Sequence, residues 1–169
     1  MIQDIFPHVY HNAFQKCEAQ PQDMLLAYRG NAVLSAPEEF RLPRCGDLPD
    51  MPVRYAFSID DTRYFLAENA PEEQTAWRLL PSAEYRYALP HETAFACAVG
   101  ETLHRWYCSN RFCGACGAEM ADSAAERALC CPKCGAVVYP RINPAVIVAV
   151  TDGEKLLLTK YAGRSFRRF

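Results

Sequence analysis

The sequence predicts an α+β fold: a small, mainly β N-terminal domain, a linking helix, a cysteine-bearing ribbon and a final β-hairpin. Three observations carry this. Short apolar runs separated by turn residues fill the chain up to about Leu89, and after Pro90 the apolar period becomes helical. Beyond the helix lie two Cys-x-x-Cys-Gly turns, Cys113-Gly114-Ala115-Cys116-Gly117 and Cys131-Pro132-Lys133-Cys134-Gly135, fourteen residues apart.

In the first region, Met24-Leu25-Leu26-Ala27-Tyr28 and Ala32-Val33-Leu34 flank Arg29-Gly30-Asn31, the pattern of a hairpin. Val53 to Ile59 alternates at period two and is followed, across Asp60-Asp61-Thr62, by Arg63-Tyr64-Phe65-Leu66, a second hairpin. Pro37, Pro43, Pro49 and Pro52 make the stretch between them loop-rich. From about Glu92 to Tyr107, residues Phe95, Val99, Leu103 and Trp106 form one helical stripe, expected to pack on the N-terminal sheet. His104 on this helix reads as a surface or packing residue.

The two cysteine turns read as a structural zinc ribbon. Each knuckle presents two thiolates, and four soft ligands satisfy tetrahedral zinc. The glycine after each second cysteine suits a backbone that must turn through positive φ. Cys113, Cys116, Cys131 and Cys134 are therefore the expected zinc ligands. Cys130 lacks the spacing to Cys134 and reads as a bystander, while Cys17, Cys45, Cys97 and Cys108 read as ordinary small or buried residues. So short a ribbon cannot bury a core of its own, and zinc is expected to supply about 10–16 kcal/mol of its folding free energy.

After the ribbon, Pro144 introduces Ala145 to Val150, then Asp152-Gly153, then Lys155 to Leu158, an Asp-Gly hairpin whose arms are apolar on both faces. Little sequence remains to cover it, so the chain is expected to stop inside a domain whose core lies downstream, with residues 160–169 poorly packed or held by a neighbouring chain. Arg164 to Phe169 reads as a loop cut short. The implied domains are 1–90, 91–108, 109–141 and 142–169.

Composition narrows the function classes. The 169 residues are 50% apolar with a formal charge of −2, so nothing draws the whole chain to nucleic acid or anionic membrane. The ribbon is near neutral, with Arg111, Arg127, Lys133 and Arg141 set against Glu119, Asp122 and Glu126. Nine cysteines, an odd number at metal-type spacing, argue for a reducing compartment rather than a disulfide framework. With neither a signal-peptide pattern nor a long apolar span, the expected location is cytoplasmic.

The order of parts, with Arg111-Phe112-Cys113 ending the helix and Tyr139-Pro140-Arg141 to Pro144 leading into the hairpin, resembles the NADH pyrophosphatase branch of the Nudix hydrolases. The resemblance is specific from about Phe95 to Lys160, and Phe6-Pro7-His8-Val9-Tyr10-His11-Asn12 looks like the opening of some bacterial members. It implies a truncated Nudix α/β/α domain after the ribbon and hydrolysis of the NAD(H) pyrophosphate to nicotinamide mononucleotide and AMP. NAD-capped RNA is the one nucleic-acid substrate it implies, and a homodimer the expected assembly. Among site residues it implies substrate contacts at Glu126 and Tyr139, whose bland alternatives are a solvated charge and a packing ring. Less directly, it implies phosphate contacts at Arg44 and Arg86, each otherwise a surface arginine.

The family's chemistry needs the box Gly-x5-Glu-x7-Arg-Glu-x2-Glu-Glu-x-Gly, whose glutamates hold Mg²⁺ or Mn²⁺. No Arg-Glu dipeptide occurs in the 169 residues. No catalytic residue is therefore assigned within this chain, Mg²⁺ or Mn²⁺ is expected only with the missing box, and the chain alone is expected to be inactive. The alternative reading is a non-enzymatic zinc-ribbon module that binds a protein or nucleic-acid partner.

Overall fold

The computed structural model describes residues 2–36, 38–70, 76–87, 90–141 and 143–158. The expectations for residues 160–169, including the Arg164 to Phe169 loop, lie outside them.

The mixed α+β class is as expected. The N-terminal part is built from two small sheets that share one stretch of chain. In the first, β1 (Tyr10–His11), β5 (Val53–Ile59), β6 (Thr62–Ala67) and β2 (Met24–Leu26) lie in the order β1-β5-β6-β2. In the second, β3 (Tyr28–Arg29), β4 (Ala32–Ser35) and β7 (Arg78–Pro81) lie in the order β3-β4-β7.

The β5–β6 hairpin forms where its alternation places it, and Asp60 takes the left-handed conformation at the turn (φ 49°). The first expected hairpin is shorter than its apolar run. Its arms are β3 and β4, joined through Gly30 at φ 63°, whereas Met24–Leu26 pairs in parallel with β6. Ala27 is the switch between sheets, because Leu25 and Leu26 point to opposite faces and each face has a core to fill.

Those two cores explain why β5 is buried continuously from Tyr55 to Ile59. Leu26, Phe57, Tyr64 and Leu66 pack on one side with Ala96, Cys97 and Leu103, and Leu25, Leu34, Tyr55, Phe65 and Trp77 pack on the other. A β-bulge between Tyr55 and Phe57 makes this assignment possible. Tyr55 pairs with Phe65 and Phe57 with Tyr64, so Ala56 is an extra residue without a β6 partner.

The helix α2 runs His91–Ser109, after the short α1 (Ser82–Tyr85), with Pro90 in extended conformation at its start. Its end is closed by Asn110, whose Nδ2 donates to the Trp106 carbonyl at 2.7 Å and satisfies one of the orphan acceptors of the last turn. The buried face differs from the expected stripe. Leu103 and Trp106 are buried, but Phe95 and Val99 only flank the core, and the deepest positions include Ala96, Cys97 and Gly100. Close approach of the sheet selects small residues there: a Cβ at Gly100 would sit 2.6 Å from Tyr28 Oη and 2.7 Å from Leu26 Cδ1. Tyr28 Oη uses that space to donate to the Cys97 carbonyl at 2.7 Å.

His104 proves to be a packing residue, stacked on Tyr28 at 5.4 Å between ring centroids. Burial lowers its pKa, the nearby Glu101 only partly opposing this. Glu101, also buried, is met by the Tyr85 hydroxyl and by Arg105.

Past α2 come the ribbon strands β8 (Ala121–Asp122), β9 (Leu129–Cys130) and β10 (Val137–Val138), antiparallel in the order β10-β9-β8. The Asp152-Gly153 turn forms with Gly153 at φ 58°, but the strands around it, β11 (Thr151–Asp152) and β12 (Lys155–Leu156), are far shorter than the expected arms. Residues 145–150 form no strand and are exposed, as are Leu156 to Leu158. The physical reason is the absence of any described element packed against them, since a two-stranded hairpin by itself is marginal in water.

Candidate metal centre and its neighbourhood

The two knuckles are near copies of each other. Cys113 N–H donates to Ala118 O and Cys131 N–H to Ala136 O, both at 2.8 Å. Gly117 N–H returns to Cys113 O at 2.8 Å and Gly135 N–H to Cys131 O at 3.0 Å. Closing these turns requires φ of 72° at Gly117 and 75° at Gly135. Open space surrounds both glycines, so backbone conformation and not crowding demands them.

The knuckles face one another and bring the Sγ atoms of Cys113, Cys116, Cys131 and Cys134 within 4.8 Å of each other. Cys113–Cys134 and Cys116–Cys131 approach to 3.5 and 3.4 Å. Tetrahedral zinc with bonds near 2.3 Å separates its sulfurs by about 3.8 Å, so the quartet is the right size and chemistry for that ion. Cys130 turns aside from the cluster while its backbone pairs with Ala121 and Val137.

The four thiols cannot all ionise alone. The Cys134 and Lys133 N–H groups help to draw Cys131 down to about 6, and those of Ala115 and Cys116 lower Cys113. Cys116, although the Ala118 N–H pulls it down, is pushed up to about 12, chiefly by Cys131. A divalent cation resolves that conflict by holding all four as thiolates. With four protein ligands no position stays open for water, so the ion would be structural.

Of the sequence-derived substrate residues, the fold brings two together. Tyr139 Oη donates to Glu126 Oε1 at 2.8 Å, and both side chains are exposed on the ribbon. This bond also raises the Tyr139 pKa. Arg44 and Arg86 are exposed on the N-terminal part, and among the described residues neither is bonded to the ribbon. Arg44 precedes the 3-10 turn Cys45–Asp47, and its N–H donates to Asp47 Oδ2 at 2.8 Å. Arg86 closes α1.

Two arginines that the sequence reading did not single out fasten the ribbon to the sheet. Arg54 on β5 reaches Asp122 at 3.3 Å and Glu68 at 2.8 Å, and lies over the Tyr107 ring at 4.1 Å. From the ribbon side, Arg127 Nη1 donates to Asn12 Oδ1 at 2.6 Å and Asn12 O at 3.1 Å, while Nη2 donates to the Ala56 carbonyl. A groove of about 330 Å³ between α2, β6 and the ribbon is lined by Arg54, Glu68, His104, Cys108 and Asp122, and does not reach Glu126 or Tyr139. A smaller cleft of about 180 Å³, lined in part by Lys16, Tyr55, Asp122, Glu126 and Arg127, includes Glu126 but not Tyr139.

Fold and cluster together define a zinc-ribbon protein, the ribbon docked on a small β domain. Residues 109–139 match the NADH pyrophosphatase zinc ribbon domain. The chain is 51% identical over 55 residues to an NAD-capped RNA hydrolase NudC of Stutzerimonas stutzeri, covering 32% of this chain and 20% of that protein. It is 36% identical over 104 residues to the NudC of Chromobacterium violaceum, covering 60% of this chain and 38% of the relative. Against NudC of Pseudomonas aeruginosa it is 47% identical over 55 residues, covering 32% of this chain and 20% of the relative. These matches bear out the resemblance to the NADH pyrophosphatase branch of the Nudix hydrolases, and they span well under half of the relatives' own length.

Proposed function

We propose that these residues are the N-terminal and zinc-ribbon part of an NAD(H) diphosphatase, which cleaves a dinucleotide pyrophosphate to nicotinamide mononucleotide and AMP. The names of the relatives extend the candidate substrates to NAD-capped RNA. The observation that carries the reading is the Glu126–Tyr139 pair, exposed and hydrogen-bonded on a ribbon of this family's type.

In this reading Cys113, Cys116, Cys131 and Cys134 hold zinc and thereby fix the loops that carry Glu126 and Tyr139. The Glu126 carboxylate accepts hydrogen bonds from ribose or amide donors, and the Tyr139 ring borders or stacks on a base. Arg44 and Arg86 are the proposed phosphate partners. Exposed apolar residues from Val146 to Leu158 support association, for which a homodimer is the proposed state, and the cysteine-rich composition suits a reducing cytoplasm. No helix among the described residues is long and apolar enough to cross a membrane.

The hydrolytic step needs clustered carboxylates to bind Mg²⁺ or Mn²⁺. The 169 residues lack an Arg-Glu dipeptide, and among the described residues the four cysteines are the one group gathered for a metal. Residues 1–169 with Mg²⁺ are therefore expected to release no AMP from NADH above a metal-free control, while a protein joining them to the Nudix box releases it. Enzyme-like turnover by residues 1–169 alone would refute the assignment of catalysis to the box.

A further inference from the structure

We infer that Arg127 is a positioning residue for the substrate edge of the ribbon, an inference that rests on the role proposed for Glu126. Arg127 follows Glu126 directly in the chain, and its guanidinium leaves the ribbon to bind acceptors 115 residues away at Asn12 and 71 residues away at Ala56.

The Ala56 carbonyl is available because of the bulge. Tyr55 and Phe57 take consecutive partners in β6, and β1 pairs β5 only at Ser58 and Ile59, so no strand on either side pairs with Ala56. A buried carbonyl without a ladder partner needs a donor. Arg127 supplies it, and with Nη1 holds both the side chain and the carbonyl of Asn12, just after β1.

All three acceptors are neutral, and among the described residues Arg127 has no carboxylate partner. The guanidinium is thus held by the direction of its hydrogen bonds rather than by opposite charge, which suits a device that sets geometry and resists salt. Arg54–Asp122, the other clasp, is an ion pair that salt weakens. The carboxylate of Glu126, which lines the 180 Å³ cleft, is in turn tied to Tyr139, so an anchor beside Glu126 bears on both substrate residues.

The test uses the full-length hydrolase and NADH. Arg127→Met keeps the stem and removes the donors; it should raise KM about tenfold, the scale of one charge-assisted hydrogen bond, with kcat within about twofold and zinc still at one per chain. Asn12→Ala, which leaves the ribbon sequence untouched, should act in the same direction and guards against misfolding of the first variant. In a Glu126→Gln background the Arg127→Met effect should vanish, because there is no carboxylate left to position. If Glu126→Gln raises KM while Arg127→Met does not, or if the Arg127→Met effect persists undiminished beside Glu126→Gln, the inference is overturned. If Glu126→Gln itself leaves KM unchanged, the proposed role of Glu126 fails and the inference with it.

Discussion

Cys130 and Cys131 are adjacent and chemically identical, yet only one joins the metal cluster. The difference is the strand. Cys130 is held in β9 between Ala121 and Val137, while Cys131 opens the knuckle and faces Cys116. Zinc content measured after refolding in limiting metal should therefore stay at one per chain in Cys130→Ser and be lost in Cys131→Ser; the opposite result would reassign the ligand. The spacing alone made this legible, because a Cys-x-x-Cys turn has a fixed reach. Arg127 shows the converse. Its acceptors include two backbone carbonyls distant in sequence, and a carbonyl leaves no mark on residue type.

At the scale of the element, the β5–β6 turn is pinned by the segment that leads into β1. His8 Nδ1 meets Asp60 Oδ2 at 2.7 Å, Val9 N–H meets Asp60 Oδ1 at 2.8 Å, and Asp60 N–H donates to Val9 O at 2.9 Å. The Asp60 bond raises the His8 pKa, with Glu92 adding to it, and the His8 and Val9 bonds lower that of Asp60. The signs define a window. The His8 contribution is complete below the ordinary imidazole value of about 6.5 and is lost as pH rises through the elevated one. The Asp60 contribution is complete above about 3.9 and is lost as pH falls through the depressed one. The pair should support β1 best between about pH 4 and 6.5. Asp60→Asn keeps a residue that tolerates positive φ, and NMR titration should then return His8 toward its ordinary value. An identical His8 titration in both proteins would show that the contact contributes nothing in solution.

Elements also separate what pattern can reveal from what it cannot. The period-two run Val53–Ile59 announced a strand and Asp60-Asp61 its turn, because alternation and turn chemistry are local. The face of α2 was less legible. Apolarity marked Phe95 and Val99, whereas at Gly100 the sheet's side chains come so close that lack of a side chain is the requirement. The Asp152-Gly153 turn was readable, but the lengths of its arms depend on partners, and residues 145–150 form no strand and are exposed, Val150 O alone accepting from Leu157 N–H across the turn among the described bonds.

The whole molecule combines two kinds of stability. Its N-terminal part has two buried clusters around β5 and β6, while in the ribbon Ala128 and Leu129 are the buried apolar residues apart from cysteines. A ribbon with so little core depends on its metal, for which about 10–16 kcal/mol is typical of small zinc modules. Chelation should accelerate amide exchange throughout residues 111–138 and leave β5, β6 and α2 protected. Uniform loss of protection would instead show that the ribbon and the β domain unfold as one unit.

By itself the sequence determined the order of parts, the β5–β6 hairpin, the helix and the four-cysteine quartet, because each rests on short-range geometry: alternation, period and the reach of a knuckle. It also carried the resemblance that singled out Glu126 and Tyr139. Only the tertiary structure decided that these two are hydrogen-bonded, that a bulge frees the Ala56 carbonyl for Arg127, and that α2 presents its small residues to the sheet. Those outcomes follow from which distant segments meet, and a contact between distant backbones is written in no local pattern.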